Sequence, residues 1–557
     1  MKFAYLLLLF GILFQVATSK RVTAAPAYAY RITFKDKNGT KSFADSLSFL
    51  SAKALLRRSK QGIPLDSTDL PVVQAYIDTV MTTAAAVKLH NVSKWFNQVV
   101  VITFDSSKIT QLQALPMVAS VKLVARYANG VFKTDDAVMG GKFEEEISAQ
   151  KTTGNSAYYG LSFQQIDLIQ SDCLHDLGYR GEGIDIAVFD VNFRYANTCA
   201  AFDSMQSEGR VKDTHNFVKD TSYVYAVSIP NDHGMNVLSC MASIRPSVFV
   251  GSAPKANYFL YITEDISSEQ PIEEDNWLSA AERSDSIGVD LINSSLGYNL
   301  YDQPHTSYTY ANMDGQTSLI VRAANKAVAK GIFVVQAQGN EGAGAWIYML
   351  TPADGDSVYS VGSVNGSGAW GQSGYGPTYS GTIKPDGVCM GMGVVVLASS
   401  CNTGTTNGSS FASPTMCGAI ACLWQAHPDL TVWELRDLLR KSSSHFSNPN
   451  NTLGYGIPDF CMAHNIVLGV EEAPVVPTDY IVFPNPTQTE FFIRSLSPSQ
   501  ETCQLILLNS QGQVITKRLM KKSWTYESDF MHSVPAGNYQ ILISNGTRIQ
   551  SIPVTKL

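Results

Sequence analysis

Charge is scarce in this chain: only 16% of its 557 residues are Asp, Glu, Lys or Arg, and the formal net charge is a mild −7. No basic stripe runs along it, which argues against a nucleic-acid partner. Its N-terminal apolar run is too short to span a bilayer and no other uncharged apolar run is long enough, so no transmembrane segment is expected. His-Glu-x-x-His is absent, and the pair Cys417 and Cys422 has no second ligand pair downstream, which argues against a zinc centre. Cysteines number nine, so at least one thiol must stay unpaired whatever disulfides form. Cys389 and Cys401 are a candidate bridge, while Cys240, Cys417 and Cys422 sit in apolar helical stretches and read as small core residues. Asp302, Asp314, Asp354 and Asp356 fall in loops at a spacing that fits no defined cation loop, and they read as exposed, solvated carboxylates.

What is present divides the chain. Lys2, an apolar run from Phe3 to Val16 and the small residues Ala17-Thr18-Ser19 read as a secretory signal over 1–19, so the mature protein is expected to be exported. Over 20–128 a strand at Tyr28 to Phe34, a helix at Ser51 to Arg58 and a helix start at Asp69-Leu70-Pro71 come first. A strand at Val99 to Phe104, a helix at Lys108 to Leu115 and a strand at Val118 to Val124 complete a small α+β module. The polar, Gly-rich stretch 129–157 reads as an exposed linker open to cleavage. A large domain spans 158–466, a Pro-rich linker 467–479, and a last domain of short alternating strands, a small β-sandwich, 480–557.

Within the large domain, Gly408-Ser409-Ser410-Phe411-Ala412-Ser413-Pro414 places a hydroxyl among small residues at the head of an apolar helix expected over Thr415 to Trp424. Pro414 has no N–H to return to the carbonyl of Ser410, which loosens the turn that presents the hydroxyl. Ile184 to Asp190 reads as a buried strand with Asp190 at its end, where parallel sheets gather functional groups. His233 opens a helix whose apolar face is Val237, Leu238 and Met241, and Gly234 leaves room beside the ring. A helix over Thr317 to Lys330 stops at Gly331, and a strand from Ile332 ends in Gly339-Asn340. Taken singly, each has a plainer account: an ordinary helix-start serine, a turn-capping aspartate, a surface or core histidine, a turn asparagine.

Asp190, His233, Asn340 and Ser410 in that order, with Gly251-Ser252-Ala253-Pro254, Ser295-Leu296-Gly297 and Ile383-Lys384-Pro385-Asp386 between them, resemble the subtilisin-like serine peptidases over Tyr158 to Asn465. The resemblance implies an α/β domain, a parallel sheet flanked by helices, that hydrolyses peptide bonds through an acyl-enzyme. Ser410 is then the nucleophile, His233 the general base and Asp190 its orienting partner. Asn340 helps form the oxyanion hole, and Ser295, Leu296, Gly297, Ala337 and Gly339 line the substrate site. No cofactor is implied for the chemistry and no metal ligand is assigned; a structural calcium is left open. The 20–128 module then resembles an inhibitory propeptide of a zymogen, with maturation within 129–157.

This sequence departs from the family pattern at Val191-Asn192, Met235, Ser409 and Gln338, and the larger Gln338 is expected to crowd the pocket for the residue before the scissile bond. Phe483-Pro484-Asn485-Pro486-Thr487, Gly512-Gln513 and Pro535-Ala536-Gly537-Asn538-Tyr539 resemble the C-terminal sorting domains of type IX secretion cargo. That implies a partner in the type IX machinery and a protein secreted from, or held on the outer surface of, a Gram-negative bacterium. The partners implied are protein or peptide substrates and the chain's own propeptide. The competing class is a catalytically inactive surface protein that keeps the peptidase fold and uses its groove for binding.

Overall fold

All six side chains of Asp185–Asp190 are buried, as a strand covered on both faces requires. That strand lies near the middle of a seven-stranded sheet in a computed structural model. The structure describes residues 25–127, 157–229, 231–398, 401–469, 480–495, 503–520, 525–528, 533–544 and 549–557. The expected signal peptide at 1–19, all but the last residue of the linker at 129–157, and most of the Pro-rich linker at 467–479 lie outside them.

The N-terminal module forms an antiparallel sheet from β1 (Ala27–Phe34), β2 (Lys88–Ser93), β3 (Gln98–Thr103) and β4 (Val118–Tyr127), in the order β2-β3-β1-β4. Its helices include α1 (Ala52–Lys60), capped by the Ser51 hydroxyl, and α2 (Gln74–Thr83). Two expectations shift here. The second helix begins at Gln74, not at Asp69, because the Asp69 carboxylate is taken by Arg58 and Lys330. The strand Lys-Leu-His-Asn-Val-Ser of β2 gave no apolar alternation to read, since it is held by pairing to β3.

The large domain carries β5 (Asp185–Asp190), β6 (Val211–Asn216), β7 (Asn257–Ile262), β8 (Leu291–Ser294), β9 (Phe333–Ala337), β10 (Tyr359–Val364) and β11 (Gly387–Met390). Their order is β11-β10-β9-β8-β5-β7-β6, with every pairing parallel. The chain crosses between them by helices that cover the sheet, among them α3 (His233–Ala242), α4 (Ile272–Ile287), α5 (Leu319–Ala329) and α6 (Ser409–Ala426). Such a sheet buries apolar residues on both faces, and one continuous core runs from Ile186 through Phe411 to Ala463. Helix α6 starts at Ser409, earlier than the Thr415 expected from its apolar run, and takes Pro414 into its body. A hairpin, β12 (Val394–Leu397) and β13 (Thr403–Thr406), delivers the chain to it.

The cysteines differ from the expected pairing. Cys199 joins Cys401 and Cys173 joins Cys461, whereas Cys389 is a buried free thiol. Cys389 belongs to β11 and faces the core, where burial pushes its pKa up to about 12, while Cys401 lies at the turn of the β12–β13 hairpin. Cys240, Cys417 and Cys422 are buried and belong to neither disulfide, as expected of core residues.

The C-terminal unit, Leu468–Leu557, has its own core. A three-stranded sheet pairs Tyr480–Phe483, Phe491–Ser495 and Thr525–Ser528, and a four-stranded sheet is built around Cys503–Asn509 and Gly537–Ser544. Tyr480, Phe491 and Ile493 of the first meet Leu505, Leu507, Ile541 and Ile543 of the second, which is the packing of a sandwich. Among the described residues, no helix is long and apolar enough to cross a membrane.

Candidate active site

Asp190 closes β5 with its side chain fully buried. Its Oδ1 accepts the Val191 N–H at 2.8 Å and the His233 Nδ1–H at 2.8 Å. A carboxylate can only accept here, so the contact fixes the proton on Nδ1 and leaves the lone pair of the neutral ring on Nε2. His233 is the first residue of α3, and its N–H donates to Asn231 Oδ1 at 3.0 Å. Gly234 is required beside it. A Cβ there would lie 2.3 Å from the Asn192 carbonyl oxygen and 3.0 Å from Asp190 Cβ, so any side chain would push the helix off the strand.

Ser410 stands in the first turn of α6, 6% exposed. The carbonyl that Pro414 leaves without a helical N–H is taken by the Ser295 hydroxyl at 2.8 Å. The Ser410 hydroxyl in turn lies 3.5 Å from the Ser295 carbonyl oxygen. Behind Ser295, Asn293 donates to its Oγ at 3.2 Å and accepts from Ser413 Oγ at 2.9 Å, so buried polar groups tie β8 to α6. The Phe411 ring, one residue past Ser410, lies 5.7 Å from the imidazole of His233 between centroids. Thus α3 and α6 bring histidine and serine to the same end of the sheet as Asp190.

Asn340 follows β9 and is exposed. Its Oδ1 accepts from the Ser409 N–H at 2.8 Å and from Ser409 Oγ at 3.1 Å, and Ser409 Oγ also accepts the Gly339 N–H at 3.1 Å. With the oxygen held inward, the donor end of the amide is the one turned outward. Ser409, noted in the sequence only as a departure, therefore aims Asn340. No periodic signal marks Asn293, Ser295 Oγ or Ser413 as a network, because single polar residues in buried elements look like noise until their partners are known.

Gln338 is fully buried, and the Leu350 N–H donates to its carbonyl oxygen at 3.2 Å. Leu296 and Ala337 are buried at the ends of β8 and β9, with Gly297 and Gly339 beside them. Of the four loop aspartates, Asp354 is not exposed: it is fully buried, accepts the Gly315 N–H at 2.8 Å, and has its carboxyl pushed up to about 6 by burial. Asp314 accepts from the N–H groups of Gln316 and Thr317, and Asp302 from that of Glu269. Among the described residues, Glu264, Glu269 and Glu273 are close enough together to share a cation. Glu264 accepts from Tyr298 OH, and Glu273 from the N–H groups of Asp265 and Gln270.

The N-terminal module grips α4 and its surroundings. Arg31 makes a paired contact with Asp275, whose oxygens it reaches at 2.7 and 2.5 Å. Arg57 and Arg58 both bond Asp285, and Lys53 reaches Asp185 and Asp290. Glu282 accepts the N–H groups of Lys94 and Trp95 and the Ser93 hydroxyl, and burial pushes its carboxyl up to about 7. His90 meets Asn276 Oδ1 at 3.0 Å and is pushed down to about 4 by burial.

Comparison with known proteins matches three parts of the chain. Residues 29–137 match the peptidase S8 propeptide domain of Bacteroidota, 181–456 the Subtilase family, and 481–554 the secretion system C-terminal sorting domain. Subtilisin E of Bacillus subtilis is 25% identical over 416 residues, covering 72% of this chain and 93% of its own. Subtilisin DY of Bacillus licheniformis is 29% identical over 295 residues, 52% of this chain and 93% of its own. Subtilisin J of Geobacillus stearothermophilus is 27% identical over 310 residues, 55% of this chain and 71% of its own.

Proposed function

As a member of the subtilisin-like serine peptidase family, the chain is a secreted serine endopeptidase made as a zymogen, and we propose that Asp190, His233 and Ser410 are its catalytic triad. The observation that carries this is the 2.8 Å bond from His233 Nδ1 to Asp190, which presents the basic nitrogen of the ring on the side of α6. In this reading Ser410 Oγ attacks the carbonyl carbon of the scissile bond as His233 Nε2 accepts its proton. Asp190 stabilises the imidazolium that results. The oxygen that becomes negative receives hydrogen bonds from the Asn340 amide and the Ser410 N–H, aided by the positive end of α6. His233 then returns the proton to the leaving amine, the C–N bond breaks, and Ser410 is left acylated. Water, deprotonated by the same nitrogen, hydrolyses the ester and frees the enzyme.

Ser295, Leu296 and Gly297, with Ala337 and Gly339, form the two edges between which an extended substrate lies, main chain to main chain. The module at 20–128 acts as inhibitor and folding partner until it is cut off within 129–157. The C-terminal domain then hands the protein to the type IX machinery, which delivers it outside a Gram-negative cell, released or surface-attached.

The test is labelling by a serine-directed phosphonate. The secreted, processed protein should be labelled and Ser410→Ala should not. Absence of labelling in processed wild type would favour a binding protein that has kept the fold. Asn340→Ala should cost roughly 10²–10³-fold in kcat, the magnitude known for an oxyanion-hole amide of a subtilisin.

A further inference from the structure

Two glycines face the same leucine across the cleft. A Cβ on Gly297 would lie 2.7 Å from Leu350 Cβ and 3.2 Å from its Cδ1. A Cβ on Gly339 would lie 2.9 Å from Leu350 Cγ and 3.3 Å from the same Cδ1. The side chain of Leu350 therefore touches both edges at once and occupies the space between them. Its backbone is fixed there: its N–H donates to the Gln338 carbonyl, and the next residue, Thr351, exchanges bonds with Tyr298 at 2.9 and 3.3 Å. Beyond Leu350, Thr351 is fully buried and its hydroxyl is hydrogen-bonded to that of Ser318 at 2.6 Å, which anchors the segment further. A second feature adjoins it. Glu341 Oε2 would lie 2.5 Å from a Cβ on Gly339, is buried, and has no hydrogen-bond partner among the described residues.

We infer that Leu350 is the floor of the pocket that receives the side chain preceding the scissile bond, and that with Glu341 it restricts that position to short, non-acidic residues such as Ala, Ser and Gly. The inference rests on the reading of Ser410 as nucleophile and adds the substrate class to it. Physically, a ring-bearing side chain would have to displace a packed leucine, which the close-packed interior resists. An acidic one would bring a second carboxyl group against Glu341 Oε2, which is buried without a hydrogen-bond partner among the described residues.

The experiment uses the secreted, processed enzyme and a set of peptides identical except for Ala, Ser, Phe, Lys or Asp before the cleaved bond. Wild type should show kcat/KM for Ala at least tenfold above Phe, with Asp the poorest. Leu350→Gly should raise the Phe-to-Ala ratio at least tenfold, Leu350→Ala should raise it less, and Glu341→Gln should lift the Asp peptide severalfold. Having two leucine variants guards against one that fails to fold. Wild type that takes Phe as well as Ala, or variants that label fully with phosphonate yet keep the wild-type ratio, would overturn the inference. Wild type that neither labels nor cleaves would instead overturn the peptidase reading beneath it.

Discussion

At the scale of single residues, the site depends on side chains that do no chemistry. Ser295 satisfies the carbonyl that Pro414 strips of its helical partner, and Ser409 holds the oxygen of Asn340. Removing a hydroxyl that serves a buried acceptor costs about 1–3 kcal/mol. Ser295→Ala should therefore lower the melting temperature measurably and reduce kcat, because the turn carrying Ser410 loses its tether; calorimetry and steady-state kinetics on the purified variant check both. The four side chains that the sequence pointed to could be read because each sits at an element's end, where a buried strand or apolar helix breaks off. Their supports could not. Asn293 lies inside β8 and Ser413 inside α6, and only the packing of those two elements shows why they are polar.

At the scale of elements, the grip of the N-terminal module on α4 is ionic and buried. Arg58 bonds both Asp69 and Asp285, all three nearly without exposure. Leaving one such charge unpaired costs roughly 3–5 kcal/mol. Arg58→Ala should thus reduce secreted, processed enzyme sharply, while the same enzyme, once processed, keeps normal kcat; immunoblotting and active-site titration separate the two effects.

The grip should also depend on pH. Glu282 is raised to about 7 by burial under the module and returns to the ordinary carboxyl range when the module leaves, so the bound state takes up a proton more readily. Its contribution to binding is therefore fullest in acid and is lost as pH rises through 7. His90 is lowered to about 4, so its contribution runs the other way and is lost as pH falls below the ordinary histidine value toward 4. Of these two groups, Glu282 is the one that changes between pH about 6.5 and 8. Inhibition by the cleaved module should weaken across that interval, and Glu282→Gln should flatten the response; inhibition constants at both ends decide it.

Legibility at this scale was uneven. Two strands of the parallel sheet, β5 and β9, announced themselves as buried apolar runs, but β6, with its Lys, Asp, Thr, His and Asn, did not, and β2, with its Lys, His, Asn and Ser, exists because β3 pairs with it. The start of α6 was hidden by small residues that carry no periodicity.

At the scale of the whole molecule, Cys199–Cys401 ties the loop after Asp190 to the hairpin that leads to Ser410, across 202 residues. Disulfides closing long loops contribute roughly 2–5 kcal/mol. Reduction, or the paired change to serine, should lower the melting temperature and the activity together, read by scanning calorimetry and peptide hydrolysis before and after reductant. The C-terminal unit has a core of its own, so truncation at Leu468 should abolish export while leaving hydrolysis by the intracellularly produced, processed protein intact. Sequence alone could not have supplied the disulfide pairing, since which thiols meet is decided by the turn of a hairpin and the depth of β11.

The contacts on α4 have one more result. Arg31, Arg57, Arg58 and Lys53 all belong to the piece that is cut away, and Asp275, Asp285, Asp185 and Asp290 to the piece that stays. Maturation under the proposed scheme thus parts a cationic fragment from an anionic enzyme, and dissolved salt, by screening their attraction, governs how soon the peptidase is set loose.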